Sequence, residues 1–438
     1  MKRQGLREKK FDIPTAPFHP IPMIYLDNNA TTEIDPDVLT EMQRVARSAI
    51  GNPGSRHLAG RRARQVLEDA RESIAQILHA LPEEVVFTSG GTESNNLAIT
   101  GLAANHTGTV LLPPGEHPSI EEPVRRLVQT GWQRQTIPLN ALGQFDLSAA
   151  ELPPLDQFGR SCARVEKVSF DEGLNTARQV RDKIYKNALN GVSLVTSILA
   201  HNETGVIHDL QPLARHCLQQ GVPFHVDGVQ AAGKMEVNFE ELPATTLSAS
   251  AHKFHGPRGI GILLVRKRTR LTAQLVGGFQ EQGMRPGTEA VMLVAGMNLA
   301  LQKWFQQREA RRIVLESLRN RLQTGLMQAC PWAVVNGDQA HRLSNTLNIA
   351  FPGCDADALL IALDLAGVCC SLGSACASGS NEPSPVLVAM GLTEKVYRSS
   401  LRLSLSIHNT NAEIDQAIAI ISQTVQHLLA LKSTPVPD

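Results

Sequence analysis

The sequence predicts an α/β fold built on a mainly parallel sheet with helices over both faces, and three observations predict it. Short apolar runs of strand length recur along the chain: EVVFTSG from Glu84, then TVLLPP, SLVTSILA, PFHVDGV and GIGILLV. Helix-patterned or turn-rich sequence separates each run from the next, the spacing that parallel strands need for their crossovers. The runs are apolar throughout rather than alternating, as strands covered on both faces are.

In chain order, the arm MKRQGLREKKFDIPTAPFHP is basic and then proline-rich. It lacks the apolar centre of a secretory signal, so it reads as a lead-in to a soluble, cytoplasmic protein. From Gly60, GRRARQVLEDARESIAQILH places Ala63, Val66, Leu67, Ala70, Ile74 and Ile77 at helical spacing. The strand EVVFTSG follows, and ESNNLAITGLA from Glu93 reads as the next helix. The charged, weakly patterned stretch from about Pro153 to Ala188 reads as an insertion. Beyond Glu289 a long helical pattern runs to Gln328, followed by a strand-like TLNIAF, a helix ADALLIALDLAG and a last helix from about Ala412 to Leu431. That texture predicts a smaller α+β domain reached through a linking helix.

Composition narrows the function classes. Lys and Arg number 42, as do Asp and Glu, so the formal charge is zero and bulk electrostatics give no reason to bind nucleic acid or an anionic membrane. Aromatics make up 4%, too few for a base-stacking surface. No apolar run approaches the roughly 20 residues of a membrane helix. Seven cysteines, an odd number without zinc-type spacing, fit reduced thiols better than a disulfide framework.

Four motifs carry chemistry. Ser89-Gly90-Gly91-Thr92-Glu93 lies where a strand turns into a helix, either a cradle for an anion at the helix N-terminus or a turn without ligand. Asp227, in HVDGVQAAG, closes an apolar strand, where a carboxylate either pairs with a protonated ring nitrogen or caps the next helix. Lys253, in SASAHKFHGPRGIG, follows small residues that admit a bulky ligand, so it is a candidate Schiff-base lysine rather than an ordinary surface one. Cys376 lies in SLGSACASGS among small polar residues, a setting for a reachable thiolate or for a bystander. A phosphate cradle, a ring-nitrogen carboxylate, a Schiff-base lysine and a thiol together describe pyridoxal phosphate working with a cysteine nucleophile.

These motifs resemble the cysteine desulfurases of the fold-type I, class V aminotransferase group, on the branch with a long catalytic-cysteine loop. The resemblance runs from Tyr25 to about Val425 through YLDNNATT, GNPGSRHLAG, EVVFTSGGTESNNLAI, GEHPSI, HNETGVI, HVDGVQAAGK, LSASAHKFHGPRGIG, GGFQEQGMRPGTE, SNTLNIAFPG, SLGSACASGSNEPSPVLVAMGL and SSLRLSLS. It implies a large pyridoxal-phosphate domain over 37–298 with a seven-stranded sheet and the insertion at about 153–188. It also implies a small domain over 299–438 carrying the cysteine loop and joined by the arm 1–36. Lys253 would hold pyridoxal 5'-phosphate and move the substrate α-proton, Asp227 would pair with the pyridine nitrogen, and Gln230 would bond the ring hydroxyl. His117 would stack on the ring and assist proton transfer. Gly91, Thr92, Ser250 and His252 would bind the phosphate, and Thr288 would reach the phosphate of the other subunit of a homodimer. Asn202 and Arg402 would hold the carboxylate of L-cysteine. Cys376 would take its sulfur as a persulfide, releasing L-alanine, for delivery to an acceptor protein such as an iron–sulfur scaffold or a sulfur carrier.

The chain departs from the family pattern at several places. His201 stands for a second Asn, Phe279 for a Gly, Pro286 for a small hydroxyl residue, Leu372 for a Ser, and Ser406-Ile407 for Gly-Arg. Two other readings accompany the desulfurase. One is a selenocysteine lyase, in which selenium leaves more easily and Cys376 matters less; the other is a degenerate subunit acting through protein contacts in sulfur relay.

Overall fold

The computed structural model describes residues 23–104, 106–146, 188–372 and 383–433. Cys376, Cys162, the arm up to residue 22 and all but the last residue of the 153–188 stretch lie outside the described residues.

Seven strands form the central sheet: β2 (Val85–Thr88), β3 (Thr109–Leu112), β4 (Gln133–Thr136), β5 (Val192–Ile198), β6 (Phe224–Asp227), β7 (Thr246–Ser250) and β8 (Gly261–Val265). Their order is β2-β8-β7-β6-β5-β3-β4, parallel except for β8, which runs antiparallel to both neighbours. The connection from β7 to β8 is too short to carry a crossover helix, and that forces the reversal. Two strands gave no apolar signal. β4 reads QRQT because it lies at the sheet edge, where its side chains reach solvent. β7 reads TLSAS because it is buried among small residues at the centre.

The second region holds β1 (Ile24–Tyr25), β9 (Val334–Val335), β10 (Thr346–Ala350), β11 (Val368–Cys369) and β12 (Ser400–Ser404). β12, β10 and β9 form an antiparallel sheet, and β1 pairs in parallel with β11. Bridges from Asp27 to Ser404 and from Ser371 to Arg402 join the two sheets.

Ten α-helices appear among the described residues: α1 (Pro36–Ser48), α2 (Leu58–Ile77), α3 (Gly91–Leu102), α4 (Pro118–Gln129), α5 (Gln211–Gln220), α6 (Val291–Ala329), α7 (Ala356–Leu365), α8 (Pro385–Ala389), α9 (Glu394–Tyr397) and α10 (Asn411–Ser433). Local chemistry starts several of them. Asp35 accepts from the Asp37 amide ahead of α1, with Pro36 at its first position, and Asp355 accepts from the Ala358 amide to open α7. α2 buries Ala63, Leu67, Ala70, Ile74 and Ile77, the stripe its sequence pattern predicts.

Two apolar cores result. The larger surrounds the central sheet; the smaller gathers Leu347, Ile349, Leu401 and Leu403 of β10 and β12 with Ile414, Ala417 and Ile421 of α10. α6 belongs to both. Val294, Met297, Leu301 and Trp304 pack into the first core, while Leu318, Leu322 and Leu326 pack into the second. At 39 residues the helix is about 58 Å long, enough to span both.

Buried imidazoles fasten the loops at the carboxyl ends of the strands. His201, after β5, donates from Nε2 to the Gly115 carbonyl at 3.0 Å and accepts the Glu203 amide on Nδ1 at 3.2 Å. Burial outweighs these bonds and holds its pKa down at about 3. His225 on β6 bridges Thr246 Oγ1 and Asn95 Oδ1, and burial holds it at about 4. Such a histidine stays neutral in the fold while the unfolded chain takes up a proton below about pH 6.5, so its contribution to stability falls as the pH drops through that value. The H201N variant should therefore lose about 2 kcal/mol less unfolding free energy than the native chain between pH 7 and pH 5. Urea unfolding of both proteins at the two pH values measures the difference, and parallel pH dependence would contradict it.

Candidate functional site

The parallel strands of the central sheet deliver their last residues to one edge, the position where open α/β sheets form their ligand crevice. β6 ends in Asp227, β7 ends in Ser250 and passes directly into a single 3₁₀ turn, Ala251–Lys253, and β2 leads through Ser89-Gly90 into α3. The loop after β3 ends at His117, the N-cap of α4, and the loop after β5 carries Asn202. Arg402 comes from β12 of the second region, beside β10 residue Asn348.

The strand-to-helix turn has the shape of an anion cradle. The first turn of α3 offers unpaired backbone amides, and its dipole favours negative charge. A Cβ on Gly91 would lie 2.7 Å from Val229 Cγ2, so only glycine brings the backbone this close. Ser250 Oγ is buried beside this turn and has no hydrogen-bond partner among the described residues, as expected of a group awaiting a ligand. His252 bonds Thr31 Oγ1 through Nδ1, and burial followed by the neighbouring Lys253 charge lowers its pKa to about 4. Thr92 is exposed at the helix start.

Asp227 is buried and held on both oxygens. Asn95 donates to Oδ2 at 2.8 Å, and the Val229 amide donates to Oδ1 at 3.0 Å. Asn95 also donates to Ser119 Oγ at 2.8 Å, and Ser119 lies 2.7 Å from His117 Nδ1. The Ser119 amide donates to that same nitrogen at 3.1 Å, which puts the His117 ring proton on Nε2. Burial lowers the His117 pKa, although the Asp227 charge opposes it. Glu116, next to it, has its pKa pushed well up by burial; one oxygen accepts the Ile198 amide and the other has no partner among the described residues.

The LDNN segment after β1 lies between the sheet and the second region. Lys253 Nζ donates to the carbonyls of Asn29 at 2.7 Å and Ala30 at 2.9 Å, and Gln230 Nε2 shares the Asn29 carbonyl at 2.9 Å. Lys234 Nζ reaches Asn29 Oδ1 at 2.7 Å and Gln230 Oε1 at 2.6 Å. Burial, then the Lys253 and Arg402 charges, hold Lys234 well below the ordinary lysine pKa. Arg402 donates to Asp27 Oδ1 at 2.7 Å and to the Asn202 carbonyl at 3.2 Å. Asn202 Oδ1 is buried without a partner among the described residues.

Of the residues singled out from sequence, Lys253, Asp227, Gln230, His117, Gly91, Thr92, Ser250, His252, Asn202 and Arg402 all lie on these converging elements. Thr288 does not join them; it is exposed on the loop ahead of α6. Cys376 lies outside the described residues. Sequence reasoning assigned nothing to Asn29, Asn95, Ser119 or Lys234. Asn29 had a signal, since an Asn pair directly after an apolar strand has to satisfy its amides somewhere. Asn95 had another, one helical turn beyond Gly91. Lys234 had none, because its burial depends on elements far away in the chain.

The comparisons with known proteins agree in direction. The sequence matches the family described as aminotransferase class-V over residues 24–153 and 149–417. It is 36% identical over 411 residues to a cysteine desulfurase of Nostoc sp. (strain PCC 7120 / SAG 25.82 / UTEX 2576), covering 93% of this chain and 94% of that protein. It is also 36% identical over 416 residues to the cysteine desulfurase IscS of Methylobacillus flagellatus, covering 93% of each. Among solved structures, one described as a NifS-like protein superposes with a TM-score of 0.79 at 29% identity, covering 93% of this chain and 100% of that one. The chain belongs to the aminotransferase class-V family and, within it, to the cysteine desulfurases.

Proposed function

We propose that this protein uses pyridoxal 5'-phosphate to convert L-cysteine to L-alanine, taking the sulfur as a persulfide on Cys376 and passing it to an acceptor protein. The observation that carries the reading is one juxtaposition. The amine of Lys253, the buried carboxylate of Asp227 and the α3 cradle with the Ser250 hydroxyl, unpartnered among the described residues, follow from the ends of β7, β6 and β2 of one sheet.

The donor set fits the cofactor. Gly91, Thr92, Ser250 and His252 would take its phosphate, with His252 neutral as its low pKa requires. Asp227, held by donors on both oxygens, would face the pyridine nitrogen, and Gln230 would turn its amide to the ring hydroxyl. When bound, pyridoxal phosphate supplies an electron sink for the carbanion left by loss of the substrate α-proton.

The chain's residues do the rest. Arg402 and Asn202 bind the substrate carboxylate, and a guanidinium already braced by Asp27 presents its fork in one orientation. Lys253 takes the α-proton. His117, with its ring proton on Nε2, would stack on the cofactor ring and assist proton transfer. Cys376 thiolate then attacks the substrate sulfur. An S–S bond forms and the bond from sulfur to the β-carbon breaks, its electron pair staying with the carbon; the β-carbon takes up a proton, and Lys253 returns a proton to the α-carbon to give L-alanine. The sulfur acceptor is an iron–sulfur scaffold or a sulfur carrier, reached in the cytoplasm.

The active unit is a homodimer in which Thr288 of one subunit completes the phosphate site of the other. The same loop region supports this reading. Val276 is 96% exposed and Phe279 is 89% exposed, apolar side chains that a free monomer would leave in water. The division into a large unit over 37–298 and a small one over 299–438 is part of the proposal, the two packing on opposite halves of α6.

Two outcomes follow for experiment. The Cys376→Ala variant should form alanine from L-cysteine at less than about a hundredth of the native rate, within the range for loss of a nucleophile, yet keep the visible absorbance of bound cofactor. Mass spectrometry of the native protein after L-cysteine should find added sulfur on Cys376, and unchanged turnover in the variant would remove the proposed nucleophile. Replacing both Val276 and Phe279 with Asp should convert a dimer to a monomer in sedimentation and lower alanine formation at least about tenfold, consistent with the loss of a few kcal/mol of interface. A double variant that remains dimeric would exclude this surface.

A further inference from the structure

The long helix α6 passes between the two cores, and along the stretch from Trp304 to Leu315 it leaves a small cleft partly open to solvent. Lys234 and His255 line it from the central-sheet side, Ser406 and Ile407 from the other, and Arg308, Arg311 and Arg312 from the helix. No carboxylate lines the cavity among the described residues. Ile407 stands where the family pattern has arginine, so this chain has gained room on one wall while the positive charge comes from α6.

Arg311 is the unusual member. It is only 9% exposed, and its one hydrogen bond among the described residues runs from Nε to Gln307 Oε1 at 3.1 Å. Its two terminal amino groups have no acceptor there. Arg312, one residue on, is exposed and paired with Glu309 and Glu316, as a solvated arginine normally is. Asp35 is the carboxylate that acts on Arg311 from a distance, but Lys303 already bonds it at 2.7 Å. The terminal amino groups are not sealed from solvent, but a guanidinium set this deep still gains from a counter-charge that the cavity lining does not supply. The planar fork with both ends free matches two oxygens of a single anion.

We infer that this cavity binds a small tetrahedral oxyanion, phosphate or sulfate, with Arg311 as its main ligand and Arg308 and Lys234 as flanking charge. The site is separate from the α3 cradle, because none of the cradle residues lines it. It nevertheless reaches the catalytic lysine, because Lys253 is among the residues that line it. Lys234 lines the cavity and also bonds Gln230 and Asn29, whose carbonyl holds Lys253. An anion beside Lys234 stabilises its ammonium form and firms its grip on both amides.

The test uses the full-length protein saturated with pyridoxal phosphate, so that the α3 cradle is filled. Inorganic phosphate is titrated against constant ionic strength in chloride, followed by calorimetry and by the fluorescence of Trp304, which lines the cavity. A saturable one-site isotherm is expected, competed by sulfate and absent with chloride alone. The R311Q variant should weaken it at least tenfold and R308Q at least threefold, while W304F should remove the fluorescence change and keep the heat. Should R311Q fail to fold, R308Q decides, since Arg308 is exposed and its replacement leaves the core untouched. No saturable heat in the native protein, or an isotherm the same in both arginine variants, overturns the inference. The comparison with R311Q separates this cavity from the cradle, so the outcome does not depend on the proposed reaction.

Discussion

Asn29 is the residue on which the arrangement of this molecule turns. Its amide donates to Ser404 Oγ, its side-chain nitrogen to the Asn202 carbonyl and Thr346 Oγ1, and its side-chain oxygen accepts from Lys234 and Asn345. Its carbonyl takes Gln230 and Lys253. The physical constraint is simple. The segment after β1 has left any strand, its polar backbone is buried between two cores, and buried amides and carbonyls must find partners. Those partners come from the central sheet on one side and from β10 and β12 on the other. Satisfying one short stretch of backbone therefore sets how the two regions meet, and the candidate site lies at that meeting.

The same economy explains why so many of the polar groups are neutral or cross-braced. Charge is expensive to bury, so His201, His225 and His252 are uncharged, and Glu116 is driven towards its protonated form. Other polar groups are held from several directions. Asp227 is held by Asn95 and the Val229 amide, and Arg402 by Asp27 and the Asn202 carbonyl. Asn95 links Asp227 to His117 through Ser119, so the groups proposed to meet the nitrogen and one face of the cofactor ring share one hydrogen-bond chain. That chain fixes tautomer and orientation before any ligand arrives, which is what preorganised catalysis requires.

His201 shows how a departure from the family pattern is absorbed. An imidazole there spans the Gly115 carbonyl and the Glu203 amide, so the loop bearing His117 stays tied to the loop bearing Asn202. Glu203 in turn accepts Ser384 Oγ at 2.6 Å, which ties the N-cap of α8 to the loop after β5. Ile407 is different in kind: an apolar side chain in place of an arginine, it lines the same cavity as Arg311.

Much of the fold was legible in order. Apolar runs located β2, β3, β5, β6, β8 and β10, and helical spacing located α2 with its buried face, because those signals are local and repeat within a few residues. β4 and β7 were not legible, one polar because it lies at an edge, the other composed of small and polar residues although it is buried along its length. The motifs around Gly91, Asp227 and Lys253 could be read because each combines a turn, a strand end and a reactive group within about ten residues. What only the tertiary structure decided is which distant groups share a bond: Lys234 buried against Asn29, Asn95 bridging Asp227 and Ser119, Arg311 left without a counter-charge. Sequence records the chemistry each residue carries, but burial and partnership belong to pairs of elements far apart in the chain, and only packing brings those together.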